Sequence, residues 1–365
     1  MKKVENTRES GIELLRIFAM MGVVILHYNN VNMGQALALA TEGSINQYIV
    51  YFFENLSVCG VNIFILISGY YMCKSQKRMA SKVFELFLQV ILFKIAFYIL
   101  SVYIGMNIFS IRDLVINAMP NNYYVVLYCA LFIISPYINI VLTRLSKAQL
   151  KNMVICLFVL FSVWTIIFDI IQNVFQISSF GLSTVGMYGT QEGYTIVNFI
   201  LVYIIGAYIR ICEKEHIDKR LLYIGVACIL ALITVMSILE HKMGYASIVT
   251  WNYNNPLVII LSAGWFIIFK NIHFRSRVIN ELAKGSFTCF LVHGALLQYL
   301  NIPSYINGNV IKLVLHVVLC SAGLYVLSYI VYKIYSLCTD WFIKLVSPAI
   351  NRINLCVDIE SEKAV

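Results

Sequence analysis

The chain holds 365 residues, 60% of them hydrophobic and 12% charged, with a mean hydropathy of +0.81. An ordinary soluble domain carries about twice that charged share, so the composition excludes one and points to a polytopic helical membrane protein. The formal net charge is +9, yet it does not indicate nucleic acid as a partner, because the Lys and Arg residues gather in alternate loops, as membrane topology demands.

Ten spans are expected, at about 13–31, 48–72, 83–105, 122–142, 152–175, 194–211, 221–239, 252–270, 285–300 and 311–335. One set of connecting segments carries Lys2, Lys3 and Arg8, then Lys74, Lys77, Arg78 and Lys82, then Arg144, Lys147 and Lys151. The same set continues with Arg210, Lys214, Lys219 and Arg220, and with Lys270, Arg275, Arg277 and Lys284. The opposite set holds little beyond Arg112, Lys242 and Lys312. Basic loops stay in the cytoplasm, so the chain reads as an all-α bundle of the cell membrane with both termini cytoplasmic. The expected division is a transmembrane domain over 1–340 and a short cytoplasmic tail over 341–365. In that tail Trp341, Phe342 and Lys344 would lie along the inner membrane surface before the chain frays.

A signal-peptide reading of the N-terminus, from Lys2 and Lys3 to Ala36-Leu-Ala38, is disfavoured. Arg16 abuts the apolar core, and His27, Asn29 and Asn30 separate that core from the alanines. The ten cysteines contain no Cys-x-x-Cys pair and mostly fall in apolar runs, which suits small packing filler rather than a disulfide framework or a metal site.

The first span is the one most dense in chemistry. Arg16 and His27 stand eleven positions apart, almost a whole number of turns, so they share a face about 16 Å apart along the axis. Glu13 precedes Arg16 by three and can orient its guanidinium. Taken singly, Arg16 could be an anchor that snorkels to the inner headgroups and His27 a hydrogen-bonded packing residue. The second span ends in Ser68-Gly69-Tyr70, where a small pair lets a neighbouring helix, or a narrow substrate arm, approach closely. Lys82 begins the third span and Lys94 lies near its middle, too deep to snorkel easily. The fourth span opens on Tyr123-Tyr124 and reaches Ser135-Pro136. Asp169 and Asn62 are weaker candidates of the same kind as Lys94. The loop over 176–193, rich in Gly and hydroxyls, reads either as an acceptor-facing lid or as a plain connector. In the ninth span, His293 is a second intramembrane imidazole that could orient His27 or contact substrate.

Together, Glu13-Leu-Leu-Arg16…His27, Phe64…Ser68-Gly69-Tyr70, Tyr123-Tyr124…Ser135-Pro136 and Ser286-Phe-x-x-Phe290-Leu-x-His293 follow an order and spacing that resembles the acyltransferase type 3 family. These are integral-membrane proteins that mostly O-acetylate bacterial surface polysaccharides. The resemblance covers nearly the whole chain. It implies catalytic roles for His27 and Arg16, with acetyl-CoA as donor from the cytoplasm and a glycan or lipid-linked sugar as acceptor outside. Membrane lipids would be the other partners, oligomers are compatible, and no metal is implied. Two departures stand out. Many members carry paired arginines before a proline at the third span, where this chain has Lys82 with Lys74, Lys77 and Arg78. Tyrosine is common three residues before the ninth-span histidine, where this chain has Phe290.

Acyl transfer to a sugar hydroxyl needs a base, and imidazole titrates near pH 6.5 when unperturbed, close to ideal for that task. A transient acyl-imidazole would serve as well. Arg16 lies too far along the axis to stabilise an oxyanion at His27, so its expected role is to grip a phosphate-bearing or polar part of the donor. Ser68, Tyr70, Lys82, Lys94, Tyr124 and His293 complete the expected binding set. The competing functional classes are a transporter or flippase and a non-catalytic subunit on the same scaffold. A transporter would be expected to show related halves or matched broken helices, and neither is visible in the sequence. A scaffold would make Arg16 and His27 dispensable.

Overall fold

The computed structural model describes residues 9–178, 180–212, 218–245, 248–353 and 355. The basic residues Lys2, Lys3, Arg8 and Lys214, and the tail past 355, lie outside the described residues. Among the described residues there is helix and no strand. The main helices are α1 (Ser10–Asn29), α2 (Ile45–Ser57), α3 (Gly60–Met72), α4 (Ala80–Tyr103), α5 (Tyr123–Arg144) and α6 (Lys147–Phe175). They continue with α7 (Ile196–Ile211), α8 (Lys219–Lys242), α9 (Pro256–Lys270), α10 (Arg277–Leu282), α11 (Ser286–Leu297) and α12 (Val310–Ile350).

Among the described residues, eight helical segments are long and apolar enough to cross a membrane, among them Ile45–Met72, in which α2 and α3 run on from one another. The sixth and ninth expected spans form helices of 16 and 12 residues, α7 and α11, short of the roughly 20 that a span needs. The reason is local. Side-chain capping by Thr195 starts α7 late, and α11 gives way to a turn at Gln298, before the expected end at 300. The last helix departs in the opposite sense. It is continuous through 41 residues, about 61 Å and twice the hydrocarbon thickness. Its only interior breakers are Gly323 and, in the last turn, Pro348. The stretch expected to lie as an interfacial tail is thus the end of this helix.

Polar caps set where most of the spans begin. Asn122 accepts from the Val125 amide at the start of α5, and Ser146 and Gln149 form a reciprocal capping box on α6. Asn255 caps α9 just before Pro256 in its first turn, and Asn309 caps α12. The closest crossing in the bundle joins α3 to α7. A Cβ on Gly69 would lie 2.1 Å from the Tyr203 carbonyl oxygen, and one on Gly206 would lie 2.4 Å from that of Leu66. Only glycine permits backbones to meet so closely. The Ser68-Gly69 pair is therefore a packing device on its glycine side.

Three apolar clusters result. The largest gathers α3, α7 and α9 with parts of α5, α6 and α8. A second holds the far half of α1 with α2, α11 and α12. A small third joins α4, α5 and α11 around Val90, Val125 and Cys129. The clusters do not close on one another completely, and the space between them forms a large cavity.

Candidate active site

The cavity has a volume of about 890 Å³ and is walled by α1, α3, α4, α5, α11 and α12. Its depth can be read from helix register. Glu13, Arg16, Met20 and Val23 line it on α1, at the i, i+3, i+7, i+10 spacing of one helix face. Lys82, Glu85 and Gln89 line it on α4, and Lys284, Ser286, Thr288 and Phe290 at the start of α11. All three helices enter from the same end, so the mouth is the end that carries Lys82, Lys284 and, on α12, Lys344. The far end is apolar, bounded by Val23, Val61, Phe64, Tyr124 and Phe290.

Arg16 sits between these ends. Its Nε lies 3.8 Å from the Glu13 carboxylate, too long for a hydrogen bond, and that buried nitrogen has no hydrogen-bond partner. Glu13 is buried and holds the arginine on the cavity face. Gln89 donates to the Thr288 hydroxyl at 2.8 Å, joining α4 to α11 across the cavity lining. The Ser68 hydroxyl lines the cavity while it donates back to the Phe64 carbonyl at 2.9 Å. Hydrogen bonds from Lys284, and then from Lys333, hold the Glu281 carboxyl at the mouth below the usual carboxylate range.

His27 continues the α1 stripe one turn, about 6 Å, past Val23, and it is not part of the cavity lining. Its ring stacks at a tilt on that of His293, with centroids 4.7 Å apart and 39° between planes. His293 Nδ1 is 2.8 Å from the Cys289 carbonyl oxygen. A carbonyl only accepts, so the ring proton sits on Nδ1 and Nε2 keeps its lone pair. That Nε2 is buried without a partner, as is Nδ1 of His27. Buried polar atoms are normally satisfied, and three of the eight exceptions among the described residues belong to Arg16, His27 and His293. Between cavity and imidazoles stands an aromatic shelf. The Phe290 ring is 5.0 Å from that of Tyr124 and 6.3 Å from that of His293.

The expected set therefore divides. Glu13, Arg16, Ser68, Lys82 and Tyr124 line one cavity, and His27 meets His293 just beyond it. Tyr70 is not brought there. It lies two positions past Ser68, about 200° around the helix, where its hydroxyl accepts from Arg210 at 2.8 Å and its ring packs on Phe266. Lys94 is turned off the Lys82–Gln89 stripe and bonds the Met119 carbonyl at 2.9 Å and the Asn121 side chain, closing the loop before α5. Asp169 accepts from Thr190 at 2.5 Å and from Asn252 at 3.3 Å, which pins the 176–193 loop to α6. Asn62 donates to the Tyr253 carbonyl at 2.7 Å, a packing tie.

Of the basic group near the third span, only Lys82 reaches the cavity. Arg78 is buried and structural. It donates to Ser135 Oγ at 2.9 Å and to the carbonyls of Met72, Ser75 and Lys77. The Ser135-Pro136 motif is thereby explained as an arginine seat. Three features escaped the sequence reading: Gln89, the far end of α12, and His316, whose Nδ1 meets the Tyr28 hydroxyl at 2.8 Å. Gln89 was findable, being one heptad after Lys82 on the same face.

The sequence model of one protein family, described as an acyltransferase domain, matches residues 9–333. No curated protein and no solved structure matches the chain.

Proposed function

The chain belongs to the acyltransferase type 3 family, and from that membership we propose that it moves an acetyl group from acetyl-CoA to a hydroxyl of a cell-surface or lipid-linked glycan. The loop charges favour a cytoplasmic mouth for the cavity, in the cell membrane. The donor would enter there, with Arg16 gripping a phosphate or amide of its arm and Lys82 nearer the surface. Ser68, Tyr124 and the apolar walls would guide the acyl end along the α1 stripe towards His27. The volume suits such a ligand, since small-molecule sites run to about 1,000 Å³. The unpartnered Arg16 Nε is a donor in want of an acceptor.

At His27 the imidazole takes the proton of the acceptor hydroxyl as its oxygen attacks the thioester carbonyl. The tetrahedral adduct then expels the thiolate, which receives that proton, leaving the acetyl ester and free coenzyme A. His293, fixed through Cys289, would orient the His27 ring as a positioning residue. The observation that carries this reading is the α1 stripe itself: one helix face leads from a cation inside a cavity to an imidazole with an unsatisfied nitrogen.

The decisive experiment replaces His27 with Ala and measures glycan acetylation by mass spectrometry at matched protein level. Loss of a general base predicts a fall of about 10²–10⁴-fold. Acetylation at the native level would sink the assignment. Arg16→Ala should raise KM for acetyl-CoA more than KM for the acceptor.

A further inference from the structure

The cavity has one wall that the family match does not reach. That match ends at residue 333, whereas Asp340, Ile343, Lys344, Ser347, Pro348 and Asn351 all line the cavity from the end of α12. Asp340, Ile343, Lys344, Ser347 and Asn351 fall at i, i+3, i+4, i+7 and i+11, one face of the helix. Trp341 and Leu345 are 65% and 70% exposed on its other side. Membrane crossing does not require this stretch, because about 20 residues suffice for a span and α12 has 41.

The stretch is also clamped in place. Asn351 Oδ1 accepts from the Ser81 amide at 2.9 Å, which fixes the end of α12 to the start of α4. At the other end, Lys333 donates to Glu281 at 3.1 Å. The three mouth lysines then differ in a telling way. Lys82 is engaged by Glu85 at 2.7 Å and Lys284 by Glu281 at 2.5 Å. Lys344 makes no ion pair or hydrogen bond among the described residues and faces the cavity.

We propose that the end of α12 is a binding wall for the phosphate-bearing nucleotide end of the donor, with Lys344 as its phosphate contact. The inference rests on the acetyl-CoA reading above and assigns it a residue outside the family-matched segment. The chemistry that Lys344 recognises is a phosphate, and an anionic lipid headgroup would offer the same group.

The test measures binding to the full-length protein in nanodiscs of phosphatidylcholine alone, for coenzyme A and for S-acetylpantetheine, which lacks the nucleotide. Lys344→Gln should weaken coenzyme A about tenfold, the scale of one charge-assisted contact, and leave S-acetylpantetheine unchanged. Lys312→Gln, far from the mouth, should change neither. Unaltered coenzyme A affinity in Lys344→Gln would overturn the inference, as would equal weakening of both ligands. An effect seen only after phosphatidylglycerol is added to the discs would reassign Lys344 to lipid headgroups and overturn it too. If the native protein binds neither ligand, the donor reading fails, an outcome separate from all of these.

Discussion

Gly69→Ala probes the α3–α7 crossing that gives the cavity one of its walls. The added methyl would sit 2.1 Å from the Tyr203 carbonyl oxygen and 2.9 Å from its carbon. An ordinary carbon–oxygen approach is about 3.4 Å, so the helices must part by about 1 Å. Both obstructing groups are backbone and cannot rotate away. Overpacking of this kind costs about 1–3 kcal/mol, and the upper figure applies here. Alanine's better helix propensity returns about 1 kcal/mol, leaving a net loss of about 2 kcal/mol. The same shift displaces Phe64 and Ser68, and a misplacement near 1 Å can lower turnover about 10²-fold. Detergent-solubilised variant and native protein should be heated and scored for the monodisperse fraction, with acetyl transfer assayed in parallel. Gly206→Ala should behave alike, and the double variant should lose less than the sum, because both methyls use one widened gap. Native-like stability and transfer in Gly69→Ala would refute the crossing as described.

Two further substitutions separate structure from function. Arg78→Ala removes the donor shared by Ser135, the last carbonyl of α3 and two carbonyls of the loop after it; a loss of about 2–3 kcal/mol is expected in the same thermal assay, with only partial recovery in Arg78→Lys because an ammonium cannot replace the fork. Tyr70→Phe deletes the hydroxyl that Arg210 donates to; it should lower stability by about 1–2 kcal/mol and leave coenzyme A affinity untouched, read by titration.

The legible parts of the site were those written in one helix. Glu13, Arg16 and His27 follow the 3.6-residue period of α1, so their common face needed no knowledge of any neighbour. Ser68 and Tyr124 could be suspected but not placed, since which side of α3 and α5 faces the void depends on where α7 packs. Tyr70 shows the cost of reading a motif as a block: two residues along a helix is nearly its opposite side. The meeting of His27 with His293 joins positions 266 residues apart, and hydropathy carries no information about such pairs. Lys344 was hidden for another reason. A segment with Trp341, Phe342 and Lys344 looks interfacial by composition, and only the uninterrupted course of α12 and its tie to Ser81 reveal a wall. Lys94 could not be placed by depth alone, because its carbonyl partner at Met119 comes from a loop that no periodicity announces.

The length of α12 has a mechanical consequence. His316, in contact with Tyr28 beside His27, and Lys344, at the cavity mouth, ride on one unbroken helix. Their 28-residue separation corresponds to about 42 Å of axis. On a lever of that length, a tilt of about 5° moves the far end by nearly 4 Å, more than a hydrogen-bond length. The Asn351–Ser81 and Lys333–Glu281 bonds hold the mouth end, so a tilt about that end would be felt at His316. One unbroken element thus ties the position of the Tyr28 contact to that of the cavity mouth.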